Sequence, residues 1–296
     1  MPKAAERPII LEGDCLTQIP EAVARCGGAF DLVYVDPPFN AGGTRGARQG
    51  KGARAGGAAA YEDAWGGLDA FLAMLGPRLS AMRDAMTAEA SLFLHLDYRT
   101  VHDAKVLADG IFGRTAFRGE IAWIPGNGAR GTRGLSVTHQ TILVFTRGRD
   151  AIWNSRDPRL REPFAETSRS MHFRNVDADG RRFRERTIAG KKYRYYEDEG
   201  RKIGSVWADC PAMSANTPLT RETTGYPTQK PLTLLDRIVR AASTDESRVL
   251  DPMCGSGTTI VAATALGRRA VGIDQSPLAC KIAKERVARS SSGATQ

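Results

Sequence analysis

Apolar and polar positions follow one another in blocks along the chain, and the blocks predict strands and helices in turn. Short, almost continuously apolar runs are typical of strands buried on both faces, and they occur at 8–11, 32–35, 91–96, 120–124, 141–145, 248–250 and 270–273. Longer stretches with apolar residues three or four apart predict helices at 68–86, 99–111, 231–242, 258–266 and 276–288. Strands that alternate with helices predict an α/β fold with a doubly wound, mostly parallel sheet.

Two stretches interrupt this alternation. Residues 41–61 are dense in Gly, Ala and Arg and predict a mobile loop, whereas residues 147–225 are polar and rich in Arg. A chain of 296 residues is long enough for one large core with a sizeable insertion. We therefore expect one domain built from 1–146 and 226–296, with 147–225 inserted between its halves.

Charge is concentrated in the same two stretches. The net charge is +9; residues 146–202 hold 16 Lys and Arg against 10 Asp and Glu, and residues 45–54 hold four cations and no acid. A surplus confined to two segments of a neutral scaffold favours a phosphate-binding face. A solvated basic surface without a partner is the alternative.

Other composition signals are negative. The sequence has no run of about 18 apolar residues, and its first ten residues lack the apolar stretch of a secretory signal. The five cysteines are scattered without a C-x-x-C pair or a His at zinc spacing, so we expect free buried thiols and no metal. The four histidines, at positions 95, 102, 139 and 172, are interpreted as structural for the same reason.

A glycine turn between two predicted strands is the first candidate site. One strand ends at Asp251, the turn holds Gly255 and Gly257, a helix begins near Thr258, and the next strand ends at Asp274. Such glycines let a ligand approach the backbone at a helix N-terminus, and the terminal acid can accept hydrogen bonds from both hydroxyls of a ribose. The turn lacks a third glycine and a P-loop lysine, which favours a nucleoside without phosphates, as S-adenosylmethionine is. A plain tight turn is the alternative.

The second candidate site is DPPFN at 36–40, which follows a buried strand and suits chemistry on an amino group. Two consecutive prolines keep the chain extended, so the carboxylate of Asp36 and the carbonyls of Asp36 and Pro37 are held at the strand end. An exocyclic amine of a nucleobase is a poor nucleophile because its lone pair is delocalised into the ring. Two rigid acceptors can hold its two hydrogens and direct the lone pair toward a methyl sulfonium, while Phe39 stacks on the base. A proline turn that caps a core strand is the alternative.

Eight short segments, spread over nearly the whole chain, form one ordered set. They are GDCL (13–16), FDLVYVDPPFN (30–40), YEDAW (61–65), LFLHLD (92–97), IFG (111–113), GYPTQKP (225–231), VLDPMCGSGTT (249–259) and GRRAVGID (267–274). Together they resemble the beta class of DNA amino-methyltransferases, in which the catalytic motif comes first, the target-recognition region second and the S-adenosylmethionine motif last. The resemblance implies a Rossmann-like sheet of about seven strands, one of them antiparallel, with target recognition at 147–225.

The resemblance also implies roles for individual positions. The catalytic tetrapeptide is Asp36, Pro37, Pro38 and Phe39. The expected cofactor-binding residues are Asp14, Thr228, Gln229, Lys230, Asp251, Gly255, Gly257, Thr258 and Asp274. Asp14 is expected at the adenine moiety of the cofactor, Asp274 at its ribose and Lys230 at its methionine carboxylate. For Asp14 an ordinary turn, and for Lys230 a helix flank, are the alternatives.

The target base follows from the first residue of the tetrapeptide. Cytosine-specific members commonly carry Ser there, so Asp36 favours the 6-amino group of adenine, with the 4-amino group of cytosine as the alternative. Methylation at carbon 5 of cytosine needs a thiolate, usually in a Pro-Cys pair, whereas only Cys210-Pro211 occurs here. RNA or protein amino-methyltransferases are less favoured because they commonly begin the tetrapeptide with Asn and place the cofactor motif first. Phe39 and Met253 stand where Tyr and Phe are more usual, and both keep an apolar contact.

Double-stranded DNA is the expected partner, with the target base flipped out of the helix because a stacked base cannot reach such a site. The expected DNA-binding residues are Arg45, Arg48, Lys51 and Arg54 in the loop, and Arg181, Arg182, Arg184, Lys191 and Lys192 in the insertion. For the loop, a Gly-Ala insertion without a role is the alternative. A second copy of the chain and a cognate restriction enzyme are further candidate partners. The expected location is the cytoplasm.

Overall fold

The computed structural model describes residues 7–38, 44–46, 59–62, 66–126, 134–213 and 222–291, with only the backbone described at 44–46, 59–62 and 291. The chain divides into two compact units. The large unit is Met1–Trp153 with Ser205–Gln296, and the small unit is Asn154–Gly204.

Fifteen strands and seven α-helices occur in the described residues. The strands are β1 (Ile9–Glu12), β2 (Phe30–Val35), β3 (Thr44–Gly46), β4 (Ala59–Glu62), β5 (Met86–Leu96), β6 (Phe117–Trp123), β7 (Gln140–Thr146), β8 (Arg161–Glu162), β9 (Asn175–Val176), β10 (Arg182–Ile188), β11 (Lys191–Tyr196), β12 (Arg201–Lys202), β13 (Val206–Trp207), β14 (Arg248–Asp251) and β15 (Arg269–Asp274). The helices are α1 (Cys15–Cys26), α2 (Leu68–Asp84), α3 (Val101–Phe112), α4 (Glu166–His172), α5 (Leu232–Ala242), α6 (Thr258–Ala265) and α7 (Pro277–Ser291), with 3-10 turns at Arg114–Ala116 and Pro158–Leu160.

The large unit is built on one sheet, whose described strands lie in the order β1-β15-β14-β2-β5-β7-β6-β13. Strand β7 runs antiparallel to both of its neighbours, and the other pairings are parallel. The predicted doubly wound, mostly parallel sheet is therefore confirmed. Its eighth strand is β13, a two-residue strand that the sequence did not reveal.

The sheet separates two groups of helices. Val33 and Val35 of β2 belong to the apolar cluster that α1, α2 and α3 cover, whereas Leu32 and Tyr34, which alternate with them, are buried outside that cluster. Helices α5, α6 and α7 pack against one another in sequence order. Burial on both faces explains why the strands are almost continuously apolar.

Helix α1 was not predicted. It buries Cys15, Ile19, Ala22 and Cys26, which lie on one face at helical spacing. Three of these residues are small, and Pro20 lies inside the helix, where proline normally interrupts one. The sequence nevertheless carries local signals for this helix, since Asp14 caps its start and Gly27, in the left-handed region, ends it.

The small unit contains the three-stranded sheet β11-β10-β9 and the two-stranded sheet β12-β8. It is shorter than the predicted insertion of 147–225, because β13 follows it directly and pairs in parallel with β6 of the large unit.

The predicted mobile loop at 41–61 contains regular structure near both ends. Strands β3 and β4 pair in antiparallel fashion, with Thr44 opposite Glu62. Residues 41–43 and 47–58 lie outside the described residues. Among the helices that are described, none combines the length and the apolar character needed to cross a membrane.

Candidate active site

Three neighbouring parallel strands end in acidic residues at one edge of the large sheet. Strand β14 lies between β15 and β2, with Leu250 opposite Val33 and Asp251 opposite Gly272. Asp251 and Asp274 are the last residues of β14 and β15, and Asp36 directly follows β2. Because parallel strands end on the same side, the two candidate sites of the sequence meet here.

A cavity of about 510 Å³ opens at this edge, and we call it the strand-end cavity. Most of the predicted cofactor residues line it, as do Pro37 and Pro38. Fifteen further residues line it, of which the sequence had singled out only Met253. They are Cys15, Tyr34, Met74, Arg78, Tyr226, Pro227, Leu235, Pro252, Met253, Cys254, Ser256, Thr259, Gln275, Ser276 and Pro277.

Asp36 is ion-paired with Lys230. The Lys230 Nζ donates a hydrogen bond to Asp36 Oδ2, and the Lys230 side chain is only 8% exposed. The two residues are 194 positions apart in the sequence. The sequence predicted that Lys230 binds a carboxylate of the cofactor; in the structure the carboxylate that it contacts is that of Asp36.

The glycine turn holds Asp274 from one side. Gly255 and Gly257 have positive φ angles of 51° and 76°, a conformation that glycine adopts without strain. The backbone N–H of Gly255 donates to Asp274 Oδ2 at 2.8 Å, and that of Ser276 donates to Asp274 Oδ1 at 2.9 Å. The ribose acid predicted from the sequence is therefore fixed in orientation by two backbone groups.

A buried arginine fixes the same turn from behind. Arg286 of α7 donates from Nη1 to Thr258 Oγ1 at 2.7 Å, and Thr258 Oγ1 in turn donates to the carbonyl of Lys230 at 3.2 Å. Burial lowers the pKa of Arg286 to about 10, and the nearby Glu222 opposes this shift, so the guanidinium is charged at neutral pH. This clamp was missed because the sequence shows Arg286 only as one cation among several on a polar helix.

The segment at 222–230 is shaped by Gln229 and strained at Thr228. Gln229 Oε1 accepts hydrogen bonds from the backbone N–H of Thr224 at 2.9 Å and from its hydroxyl at 2.7 Å, and Gln229 Nε2 donates to the carbonyl of Glu222 at 2.8 Å. Thr228 has a φ of 57°, which is costly for a β-branched residue. Backbone strain of this kind is concentrated at functional sites, which agrees with the position of Thr228 in the cavity wall.

Asp14 supports the wall of the cavity. Its Oδ1 accepts from the backbone N–H of Leu16 at 2.8 Å and caps α1, and its Oδ2 accepts from Arg78 and, at 2.8 Å, from Gln275. Arg78 and Gln275 line the cavity, while Asp14 itself is not among its lining residues. The predicted contact of Asp14 with the adenine moiety stays a prediction.

A buried chain of hydrogen bonds starts at Tyr34, on the strand that precedes Asp36. The hydroxyl of Tyr34 lies 2.8 Å from His95 Nδ1, and His95 Nε2 lies 2.8 Å from Gln140 Oε1. Burial, together with the charge of Lys230, lowers the pKa of His95 well below its usual value. Neutral His95 therefore donates to Gln140 and accepts from Tyr34, and the sequence had indicated only a structural histidine.

Two carboxyl groups that line the cavity have raised pKa values. The pKa of Asp251 is raised to about 7, chiefly by burial and also by the charges of Asp36 and Asp274, against the lowering effect of hydrogen bonds from Thr259 and Met253. Burial likewise raises the pKa of Asp274. Burial disfavours the ionised carboxylates, so a positive charge bound beside them would stabilise their ionised forms.

Only some of the predicted DNA-binding side chains lie in the part of the chain that the structure describes. Arg48, Lys51 and Arg54 lie outside the described residues, and for Arg45 only the backbone is described. Phe39 of the predicted catalytic tetrapeptide also lies outside the described residues. In the small unit Arg181 pairs with Asp198, Arg182 pairs with Glu197, and Arg184 lies over the rings of Phe164, Phe173 and Tyr195. Lys191 and Lys192 are exposed.

The cysteines are free and buried, as predicted. Residues 7–38, 66–126, 134–213 and 222–290 contain no group of three or more His, Cys, Asp or Glu side chains that could hold a metal ion.

A doubly wound sheet with a glycine turn and acids at adjacent strand ends defines the class of Rossmann-like enzymes that bind a nucleoside cofactor. The family model described as DNA methylase matches residues 30–285. The chain therefore belongs to this family of DNA methylases.

Individual relatives agree with this assignment. The chain is 27% identical over 306 residues to the type II methyltransferase M.EcaI of Enterobacter cloacae, an alignment that covers 88% of this chain and 65% of that protein. The crystal structure of the M1.HpyAVI–SAM complex superposes with a TM-score of 0.55 at 17% identity, covering 94% of this chain and 98% of that one. The cytosine-N4-specific PvuII DNA methyltransferase superposes with a TM-score of 0.58 at 11% identity, covering 95% and 86%. These structural likenesses support the fold.

Proposed function

We propose that the protein is a site-specific DNA methyltransferase, which transfers a methyl group from S-adenosylmethionine to the 6-amino group of adenine in duplex DNA. The observation that carries the proposal is the shared cavity: Asp36 and Pro37 line the same cavity as Gly255 and Asp274. A site that holds an amine must adjoin the site of the methyl donor if the transfer is direct.

The residues of the strand-end cavity fit S-adenosylmethionine. Its volume of about 510 Å³ lies within the usual range of small-molecule sites. Asp274 would hold the ribose hydroxyls, since each of its oxygens, already bonded to one N–H, has a second lone pair. The acidic surroundings of Asp251 suit a cationic ligand. When bound there, the cofactor supplies a methyl group on a positively charged sulfur.

Lys230 is the candidate partner for the methionine carboxylate, with Thr228 and Gln229 beside it in the wall. Because Lys230 contacts Asp36, it lies between the expected positions of the methionine group and the target amine. One ammonium group with three donors can serve both carboxylates.

Asp36 and the carbonyl of Pro37 are the candidate acceptors for the two amine hydrogens. Both are held rigidly, since Pro37 and Pro38 restrict the backbone and Lys230 fixes the carboxylate. Holding the hydrogens orients the nitrogen lone pair and stabilises the positive charge that develops on the amine. The amine is the nucleophile, and a proton leaves it after the methyl group has been transferred. Phe39 is the candidate for stacking on the flipped base, by resemblance to the family.

The choice of adenine rests on Asp36 at the first position of the tetrapeptide. Transfer to the 4-amino group of cytosine uses the same two acceptors and is the alternative that the experiment below distinguishes. Duplex DNA is the proposed partner, with the small unit as its proposed target-recognition region and the cytoplasm as the proposed location. A homodimer and a cognate restriction enzyme remain candidate partners by resemblance.

The test is to express the chain in a host that lacks DNA methylation and to sequence the genome by a modification-sensitive method. We expect 6-methyladenine at one short sequence motif. The variant Asp36→Ala should lower kcat by about 10²–10³-fold or more, while calorimetry should still detect S-adenosylmethionine binding, because Lys230 and Asp274 remain.

Three results would count against the proposal. N4-methylcytosine in the genome would show that the target base is cytosine. Labelling of RNA or protein, with duplex DNA left unlabelled, would refute the proposed function. Full activity of Asp36→Ala would show that another group holds the amine.

A further inference from the structure

The hairpin formed by β10 and β11 projects from the small unit as a two-stranded ribbon. Its turn consists of Ala189 and Gly190, with φ angles of 49° and 77°, as a type I′ turn requires. All ten residues from 185 to 194 are exposed. An exposed ribbon of two strands is only marginally stable in water by itself.

The two faces of this ribbon differ in charge. Residues directly opposite one another in an antiparallel pair share a face, and the register pairs Arg186 with Tyr193 and Ile188 with Lys191. We call these four residues the basic face. The other face, which we call the paired face, holds Glu185 opposite Arg194 and Thr187 opposite Lys192.

The paired face holds one acid beside its two cations. Glu185 accepts from Arg194 at 3.0 Å and lies 3.9 Å from Lys192. On the basic face, the described residues offer no acid within ion-pair distance of Arg186 or Lys191. Two apolar side chains accompany these cations, since Ile188 is 51% exposed and Tyr193 is 41% exposed.

The remaining predicted cations of the small unit already have partners. Arg181 makes a bidentate contact with Asp198 at 2.8 and 2.9 Å, and Arg182 donates to the carbonyl of Phe173 at 3.0 Å. Arg184 is held among three aromatic rings. These arginines stabilise the small unit, so that contact with a polyanion is left to exposed cations such as those of the hairpin.

We infer that the basic face of the β10–β11 hairpin contacts duplex DNA in the major groove. The inference rests on the proposed function and specifies which surface meets the DNA. A two-stranded ribbon fits the width of the major groove, and an acid-free pair of cations complements the phosphates. Ile188 and Tyr193 supply apolar contacts such as those made with a thymine methyl group.

The two cations of the basic face have different expected roles. The planar guanidinium of Arg186 can donate two hydrogen bonds to O6 and N7 of a guanine, so it is a candidate base-reading residue. The ammonium of Lys191 is suited to a phosphate, a contact that fixes position without reading sequence.

The test compares Lys191→Ala with Lys192→Ala in the full chain. Both variants remove one lysine from adjacent positions of β11, but on opposite faces, which makes Lys192→Ala the matched control. Binding to a 30-base-pair duplex of random sequence is measured by fluorescence anisotropy between 50 and 200 mM salt. For Lys191→Ala we expect the slope of log K against log salt to fall by about one. For Lys192→Ala we expect a smaller change, because Glu185 lies 3.9 Å from that lysine.

Arg186→Ala is examined by genome-wide methylation in the host without DNA methylation. We expect the methylated motif to become degenerate at one position. The affinity of the variant for the cognate site should fall by about 10-fold or more relative to the wild type. Equal thermal unfolding of all three variants and the wild type shows that none of the substitutions destabilises the fold as a whole.

The inference is overturned if both lysine variants change the slope equally, if neither does, or if single-stranded RNA competes better than the duplex. These outcomes are separable from the failure of the proposed function. If the wild type methylates DNA and Lys191→Ala binds DNA normally, only the inference that the basic face contacts DNA is refuted. A wild type that leaves DNA unmethylated, with the slope still altered in Lys191→Ala, would refute only the activity.

Discussion

Two buried side chains next to the strand-end cavity respond to pH in opposite directions. The pKa of Asp251 is raised to about 7 from 3.8 by burial, and that of His95 is lowered well below 6.5 by burial and by Lys230. Folded Asp251 binds a proton that the unfolded chain has lost, whereas folded His95 lacks a proton that the unfolded chain has gained. Their contributions to stability therefore oppose each other over part of the acidic range.

Asp251→Asn should remove one of these contributions. Between about pH 4 and 7, stability contributed by protonated Asp251 is lost as pH rises, on the order of 4 kcal/mol in total. The free energy of unfolding of the variant, relative to the wild type, should therefore rise across this window and level off above it. Urea unfolding at several pH values measures the difference, and a difference independent of pH would contradict the assigned pKa.

His95→Gln should have the opposite effect on the slope. Below pH 6.5 the wild type loses stability as pH falls, because only the unfolded chain takes up the proton. Loss of the hydrogen bonds to Tyr34 and Gln140 lowers the stability of the variant at every pH. Its deficit should nevertheless shrink by up to about 1.4 kcal/mol for each pH unit below 6.5. A constant deficit between pH 5 and 8 would show that His95 titrates normally.

At the scale of elements, the contact between α6 and α7 depends on the glycine that precedes α6. A Cβ atom at Gly257 would lie 2.9 Å from the Cβ of Ala283, and the φ of Gly257 is 76°. Gly267 has a similar φ of 79°, but a Cβ there would meet nothing within 4 Å. The two positions therefore separate backbone strain from steric overlap.

Gly267→Ala should destabilise the protein by about 1–2 kcal/mol through strain alone. Gly257→Ala should cost about 1–3 kcal/mol more, because α7 must move away from α6, and it should also weaken S-adenosylmethionine binding at the adjacent turn. Denaturant midpoints and calorimetry measure the two effects. Equal losses of stability in both variants would mean that α7 adjusts freely.

Strands and helices could be predicted where the residues that indicate them lie within the same short segment. Strand β2 and the turn after β14 carry their own signals, namely apolar runs, prolines and glycines. Helix α1 was missed although its signals are also local: Asp14 caps its start, its buried residues lie at helical spacing and Gly27 ends it. Pro20 inside the helix obscures this pattern, because proline normally interrupts a helix.

Contacts in the site between segments that are distant in sequence could not be predicted, because they depend on tertiary packing. Lys230 lines the cavity, and its contact with Asp36 depends on how the strand ends align across 194 residues. The clamp by Arg286 and the chain from Tyr34 to Gln140 depend in the same way on tertiary packing. In the small unit, the sequence showed how many cations are present, whereas only the strand register shows which have acidic partners.

At the scale of the whole molecule, the two compact units should respond differently to the cofactor. The strand-end cavity lies entirely within the large unit. S-adenosylmethionine at 100 times its Kd should stabilise that unit by about 2.7 kcal/mol. Amide hydrogen exchange should slow by up to about 100-fold in peptides of β14, β15 and α6 and stay unchanged in β10 and β11.

Asp274→Ala serves as the control for this exchange measurement, because it removes the expected ribose contact. It should show little protection at the same cofactor concentration. Equal protection of both units in the wild type would contradict a cofactor site confined to the large unit.

The position of β2 in the sheet has a consequence for biosynthesis. Its neighbour β5 follows closely in the chain, but its other neighbour is β14, and the hydrogen bond from the N–H of Arg248 to Asp31 spans 217 residues. At about 5–20 residues per second, the ribosome needs roughly 10–40 s to make that intervening chain. Throughout this interval one apolar edge of β2 is unpaired and able to join a strand from another nascent chain. Synthesis of this protein thus includes a period of aggregation risk that ends only when β14 emerges.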